Sequence, residues 1–468
     1  MKKINIALII SALLIGGIST QIFAQETIEN PTYIVQPGEN LTEIAQKFNV
    51  PINDLIGINN INNFDLITPG MALLIPGLEG ISGVLTSDYV NIGESLTFLS
   101  RKHGIEMGLF TKLNPITSPN ELFVGSNLVL PEKNESSDFL LSITSNEDKS
   151  LLDYAVLFQV NPWTIKKINY LDSNHTAIPG EALFINTHKQ DFPASQNLQK
   201  FDTIELYPLP LVQGHTAVLR ITTNTPVNIN GNIGADKLVF FPDSDDHYVA
   251  IQGIHAMTEP GLIPLKIIFD FDNNESHRIE QMVLVKPGGY SKEDITVEQT
   301  TIDQEIIETE EKQIRSILEP RTPEKYWNAP FIFPVDGSLS DGTIGFSSYF
   351  GSRRSYNNGQ LKSFHGGLDF AVVLNSLNIY APAPGIVLFT GTMNVRGNTT
   401  FIDHGYGIVS GYGHQAEILV SPGEMVETGQ LIGIIGKTGR VTGPHLHWEI
   451  WVNGVQVDPF DWINNNYP

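Results

Sequence analysis

Between residues 32 and 187 the chain repeats itself, and the fixed period constrains the fold more than any other feature of the sequence. Leu41, Leu96 and Leu151 fall 55 residues apart (41 to 96, 96 to 151), and Asn59, Asn114 and Asn169, then Gly70, Gly125 and Gly180, keep that offset without gaps. One unit opens on a short strand at Tyr33-Ile34-Val35. It then sets Leu41, Ile44, Ala45 and Phe48 at the i, i+3, i+4, i+7 spacing that buries one helix face. A second helix ends near Ile58, and a strand at Leu74-Ile75 closes the unit. Stacked solenoids also repeat at fixed periods, but two strands and two helices suffice for a small core, so independent beads are expected.

The unit carries "YIVQPGENLTEIA" and "PGMALLIP", and with these residues it resembles the LysM domain. The first copy, residues 32–77, matches most fully; the second, 87–132, keeps "GESLTFLSRKHGI". The third, 142–187, keeps "SLLDYAVLFQV" and "IPGEALFI" but lacks the Gly-Glu pair, which makes it a degenerate copy. The resemblance implies small α+β modules of βααβ order that bind glycans containing N-acetylglucosamine, such as peptidoglycan.

A chain of 468 residues exceeds one core and suggests about three to five domains. Residues 200–290 turn to short alternating runs, among them "TAVLRITT", "HYVAIQGI" and "LIPLKIIFDF", separated by Pro, Gly, Asn and Asp. That spacing predicts a β-sandwich of immunoglobulin-like type. His215, His247, His255 and His277 lie there without metal-ligand spacing and read as ordinary histidines. Residues 291–326 read as an acidic helix, "DQEIIETEEKQIRSIL", then a proline-bearing linker, with its glutamates on a solvated face. A final domain occupies 327–468, and the whole is expected to be multidomain and mainly β.

At the N-terminus, Lys2 and Lys3 precede an apolar run from Ile4 to Ile18 and a stretch ending at Ala24, the layout of a secretory signal peptide over residues 1–24. The run is shorter than the ~20 residues that span a bilayer, so stable membrane insertion is not expected. An exported, secreted or wall-associated protein follows. A formal net charge of -23 argues against a nucleic-acid partner, which would need clustered Lys and Arg. With no Cys in the chain, disulfides, thiolate metal ligands and a cysteine nucleophile are excluded.

Five of the twelve histidines lie in the final domain, and their spacing is informative. "SFHGGLDFAV" sets His365 and Asp369 four apart; the two glycines disfavour a helix, and an even offset in an extended segment sends both side chains to one face. In "TGPHLHWEIWVNG" period 2 puts His445, His447, Glu449 and Trp451 on one face of a strand that ends at an Asn-Gly turn, with Leu446, Trp448, Ile450 and Val452 on the other. "IDHGYGIVSGYGHQAEI" adds His404, which suits a buried structural place, and His414. Two neutral imidazoles and a carboxylate with an open fourth position make a hydrolytic zinc site, and two further histidines can move protons.

"FHGGLDFA", "YGH" and "GPHLHWE", in this order, resemble the lysostaphin and LytM-type zinc endopeptidases of cell walls, a likeness that covers roughly residues 330–462. The resemblance implies an antiparallel β-sheet domain in which His365, Asp369 and His447 bind Zn2+. It likewise implies that His414 and His445 activate water and stabilise the tetrahedral intermediate. A secreted zinc metalloendopeptidase that cuts stem peptides or cross-links of peptidoglycan is the expected function. A non-catalytic wall-binding activator or scaffold is the alternative. The acidic helix and linker before Trp327 are also expected to cover the groove until the wall is bound.

Overall fold

The computed structural model describes residues 30–186 and 201–468, apart from 37–38, 63–66, 79–80, 82, 115, 117–121, 133–139, 145–148, 173–174, 178–180, 224, 245, 272–275, 298–301, 320, 341 and 372–375. The signal-peptide reading of residues 1–24 falls outside these. The fold is mainly β, and the chain forms two compact units, Met1–Thr86 and Ser87–Pro468.

In the first unit, strands Thr32–Ile34 and Ala72–Leu74 pair antiparallel around helices α1 (Leu41–Lys47) and α2 (Ile52–Asn59). Asn40 caps α1 in a reciprocal box with Glu43, satisfying amide groups that the first turn leaves open. Within the second unit the next repeats reuse this chemistry. Ser95 caps α3 (Leu96–His103), ahead of α4 (Met107–Leu113), and Ser150 caps α5 (Leu151–Phe158), ahead of α6 (Pro162–Ile168). The aligned asparagines have one structural task. Asn59, Asn114 and Asn169 each donate to a carbonyl of their own helix and exchange two hydrogen bonds with the closing strand, at Leu74, Val129 and Phe184.

The second and third repeats are not independent beads. Val124 exchanges backbone hydrogen bonds with the strand Ser276–Lys286, and Ile92 joins the core of the adjacent sandwich. Phe98 packs on Phe184 at 5.2 Å, and Arg101 pairs with Glu181 at 3.1 Å. The period records similar units but carries no information about what each unit's outer surface touches.

A five-stranded sheet and a four-stranded sheet form the sandwich. Leu219 and Ile221 of one meet Ile229, Ile267, Phe269 and Val283 of the other in a shared core. The outer face of the four-stranded sheet is also apolar, and Val218, Phe241, Val249 and Ile251 belong to the core of the last domain. His215, which bonds Asp461 at 2.9 Å, lies on this joint.

The last domain is built on a ten-stranded sheet that includes Leu368–Ala371, His445–Val452, Ile408–Ile418, Gly397–Gly405 and Gly385–Met393 as successive neighbours. The Asn-Gly turn forms as read: Asn453 (φ 50) and Gly454 (φ 83) are both left-handed and join His445–Val452 to Val455–Val457. Helix α8 (Pro459–Asn464) then folds Trp462 against Trp327 and Phe331.

The acidic segment forms α7 (Gln304–Leu318), but it is not a solvated spacer. Ile314 and Leu318 are buried against Met393, Phe401 and Val409, and Glu310, one turn earlier on the same stripe, is buried too. The linker behind it is also packed, with Arg321 Nε donating to Asn453 at 3.0 Å and Thr322 bonding Asp403.

Candidate active site

Strand His445–Val452 carries the site because its two faces have different tasks. Leu446, Trp448, Ile450 and Val452 are fully buried on one face, where each contributes roughly 1.5–3 kcal/mol through the hydrophobic effect. A one-residue slip would expose all four, so the register is fixed. His445, His447 and Glu449 must then share the opposite face. Antiparallel pairing sets Asp369 beside His447 on one side and Gly413 on the other. His365 reaches the same place from the end of strand Leu361–Phe364. A Cβ on Gly367 would lie 2.2 Å from the Trp448 carbonyl oxygen, so only glycine lets this turn press against the strand.

His365 Nε2, His447 Nδ1 and Asp369 Oδ1 form a triangle with edges of 3.1, 3.0 and 2.7 Å. The outer nitrogens have partners of their own: His365 Nδ1 donates to the Tyr349 carbonyl at 2.9 Å, and His447 Nε2 donates to Glu449 Oε1 at 2.8 Å. A neutral imidazole has one N–H, so with both rings neutral the two nitrogens inside the triangle are bare lone pairs facing a carboxylate oxygen that only accepts. Three acceptors then converge on one point, and a positive charge, either a proton on His447 or a metal ion, is what joins them. A tetrahedral ion about 2.0–2.1 Å from each ligand would hold them ~3.3–3.4 Å apart, roughly 0.2 to 0.7 Å wider than the three edges found. The donor set, two imidazoles and one carboxylate, fits a metal with an open position.

The surrounding electrostatics agree. Burial works to raise the Asp369 carboxyl, but the charges and hydrogen bonds of His365 and His447 outweigh it and hold the group well below the usual carboxylate range. Burial pushes His365 down. It does the same to His447, yet the bonds to Asp369 and Glu449 prevail and lift that imidazole to about 9. Negative surroundings that hold a proton on His447 in the metal-free protein equally hold a cation in its place.

His414 and His445 stand beside the triangle with ring centroids 4.8 Å apart. Each donates its Nδ1 proton to a carbonyl, His414 to Thr438 at 2.8 Å and His445 to Gly443 at 2.9 Å, which leaves both Nε2 atoms bare. His445 Nε2 lies 3.7 Å from Asp369 Oδ1. Burial pushes His414 down to about 3, so it is neutral at physiological pH. Its backbone is left-handed, φ 64, the kind of local strain that clusters at functional sites. All five of these residues line one cleft of about 720 Å³, which α7 also borders through Ile307 and Glu310. His404 is elsewhere, fully buried between the Pro384 carbonyl and Ser410.

The sequence reading gave no role to three groups that hold the site. Glu449 was placed on the correct face only. It accepts from Arg396 Nε at 2.9 Å and from Trp451 Nε1 at 2.8 Å as well as from His447. Arg354 Nη2 reaches Asp369 Oδ2 at 3.3 Å. Neither arginine sits at a motif spacing from its partner, so no local signal marked them.

Residues 363–459 match the description Peptidase family M23. This chain carries an M23 domain. Residues 33–76 and 89–131 match the LysM domain, the first two repeats. The M23 domain of this chain is similar to that of the peptidoglycan DD-endopeptidase ShyA of Vibrio cholerae, 38% identical over 126 residues that make up 27% of this chain and 28% of that protein. The DD-carboxypeptidase/endopeptidase Mpg of Neisseria meningitidis is 38% identical over 95 residues, 20% of this chain and 22% of that one. The matched stretch spans about a quarter of the length of these relatives. Among solved structures, a zinc containing peptidase from Vibrio cholerae overlaps 93% of this chain and 99% of its own at 16% identity and a TM-score of 0.27.

Proposed function

We propose that the protein is a zinc metalloendopeptidase that hydrolyses peptide bonds in the stem peptides or cross-links of bacterial peptidoglycan. The observation that carries this reading is the triangle of three acceptor atoms from His365, Asp369 and His447, with two further bare imidazole nitrogens beside it in an open cleft. Zinc bound there lowers the pKa of water and polarises a carbonyl. The chain's own residues do the rest. His414 and His445 are the catalytic pair. Their Nδ1 protons are committed to backbone carbonyls, so each Nε2 is free to take a proton from water or to return one to the leaving amine.

The LysM repeats hold the enzyme on glycan, the third as a degenerate copy, and tethering raises the local concentration of cleavable peptide. Under this reading residues 327–468 form the catalytic domain, residues 200–290 an immunoglobulin-like support, and residues 1–24 direct export to the cell wall or beyond. Among the described residues no helix is long and apolar enough to cross a membrane. The test is hydrolysis of purified peptidoglycan by the full chain. Zinc-dependent release of new amine termini supports the proposal, and no release by zinc-loaded protein sinks it.

A further inference from the structure

Both arginines that brace the site are themselves held from outside the matched M23 stretch. Glu293 lies on strand Lys292–Ile295, which runs parallel to Arg353–Tyr356 and sets Glu293 opposite Arg354. Glu293 Oε2 meets Arg354 Nε at 3.1 Å, and Ser348 Oγ bonds both side chains, at 3.0 and 2.9 Å. The other brace comes from α7. Glu310 Oε1 pairs with Arg396 Nη1 at 3.0 Å, and the carboxylate also accepts the backbone N–H of Val395 at 2.6 Å and of Arg396 at 3.2 Å.

Each glutamate therefore starts a relay that ends on a different residue of the triangle, at the atom facing away from its centre. The first runs from Glu293 through Arg354 to Asp369 Oδ2. The second runs from Glu310 through Arg396 and Glu449 to His447 Nε2. The Arg396 carbonyl also accepts the His414 N–H at 2.7 Å, so the segment that Glu310 fastens positions a fourth site residue. With the side chains of Glu310 and Glu449 each only 2% exposed, this ion network is desolvated, and removing one member leaves the others poorly compensated.

We propose that strand Lys292–Ile295 and helix α7 are working parts of the metal centre, with Glu293 and Glu310 as positioning residues that orient Asp369 and His447 through the two arginines. The inference rests on the reading of His365, Asp369 and His447 as metal ligands. Its physical content is charge sharing. Without Glu293, the whole Arg354 charge falls on Asp369 and competes with a cation for that carboxylate. Without Glu310, Arg396 draws Glu449 away from His447 and loosens the imidazole. The smallest competent enzyme then begins upstream of Lys292 rather than at Trp327.

The experiment uses the full chain, stripped of metal, as wild type, E293Q, E310Q, the double variant and E308Q, whose glutamate is exposed on α7. Zinc affinity is measured by competition with a chromophoric chelator, and the visible spectrum of bound Co2+ reports ligand geometry. Each single variant is expected to bind zinc about 10-fold more weakly, the lower end for outer-shell partners, with altered cobalt bands. The double variant is expected to be about 100-fold weaker, because the relays end on different ligands and their effects add. E308Q should match wild type. Unchanged affinity and cobalt spectra in E293Q and E310Q, with or without lower thermal stability, overturn the proposal. So does hydrolysis that rises in E310Q at unchanged zinc affinity, which would make α7 a cover over the cleft. Should E310Q fail to fold, E293Q carries the test, since that side chain is 29% exposed. A wild-type chain that binds no zinc would instead remove the metal reading itself.

Discussion

Glu449 offers the sharpest test of how the site is held, through Glu449→Gln. The carboxylate accepts three hydrogen bonds, from His447 Nε2 at 2.8 Å, Arg396 Nε at 2.9 Å and Trp451 Nε1 at 2.8 Å, and Arg396 Nη2 adds an ion-pair contact at 2.8 Å. A glutamine matches its shape but offers one oxygen and one NH2. If the oxygen faces His447, the NH2 is turned toward groups that only donate. If the NH2 faces His447, Nε2 must accept, the ring proton moves to Nδ1, and the lone pair aimed into the triangle is gone. Either orientation weakens the ligand. Loss of an outer-shell partner costs about 10–100-fold in metal affinity, or about 1.4–2.8 kcal/mol. Folding stability is also expected to fall by about 3 kcal/mol, the lower end for breaking a buried pair, because Glu310 still partners Arg396. Chelator competition at neutral pH measures the first quantity and urea unfolding of the metal-free protein the second. Zinc affinity indistinguishable from wild type would refute the claim that Glu449 fixes the His447 tautomer.

His414→Ala is expected to lower peptidoglycan hydrolysis by about 10²–10⁴-fold, the usual worth of a general acid or base, while zinc affinity stays at the wild-type value; lost zinc binding would make His414 a ligand instead. The joint between sandwich and M23 domain should weaken as pH rises. Burial lifts Asp458 from 3.8 to about 6, and the bond to Asp461 raises His215. Both folded-state pKa values are raised, so the stabilisation is complete below the unfolded values and is lost as pH climbs through the folded ones, with up to ~3 kcal/mol from Asp458. Asp458→Asn should flatten the change in thermal stability between about pH 4 and 7, and an unchanged slope would contradict the assignment. Deleting the first repeat, residues 32–77, should reduce sedimentation with insoluble peptidoglycan yet leave cleavage of a soluble cross-linked fragment unchanged; equal loss of both would argue that the repeat serves folding rather than tethering.

Local patterns in the sequence were sufficient where period and burial coincide. The alternation through His445–Val452 named the site face because four apolar residues had to be buried on the other. The 55-residue register aligned Asn59, Asn114 and Asn169, whose contacts lie within one unit, although it did not show what they bond. Long-range contacts were not legible. Glu310 and Arg396 are 86 residues apart in sequence and Glu293 and Arg354 are 61 apart. A glutamate bound for a buried ion pair has the same local surroundings as one bound for solvent. For the same reason the acidic helix read as a solvated face, and the second repeat read as a free bead although Val124 and Ile92 dock on the sandwich. Which histidine of the 445/447 pair meets Asp369 is decided by cross-strand register, which the strand's own alternation does not contain.

Whether His365, Asp369 and His447 hold a zinc ion that cuts peptidoglycan can be decided by one digestion. Full-length protein, the same protein with chelator, the chelated protein with zinc restored, and His447→Ala are each incubated with purified cross-linked peptidoglycan, and the released amine termini and cross-linked fragments are quantified. New amine termini and falling cross-linkage are expected with the wild type, with loss of both on chelation, recovery with zinc, and none with His447→Ala. Release that persists in the chelated protein or in His447→Ala, or its absence from zinc-loaded wild type, would contradict the zinc reading.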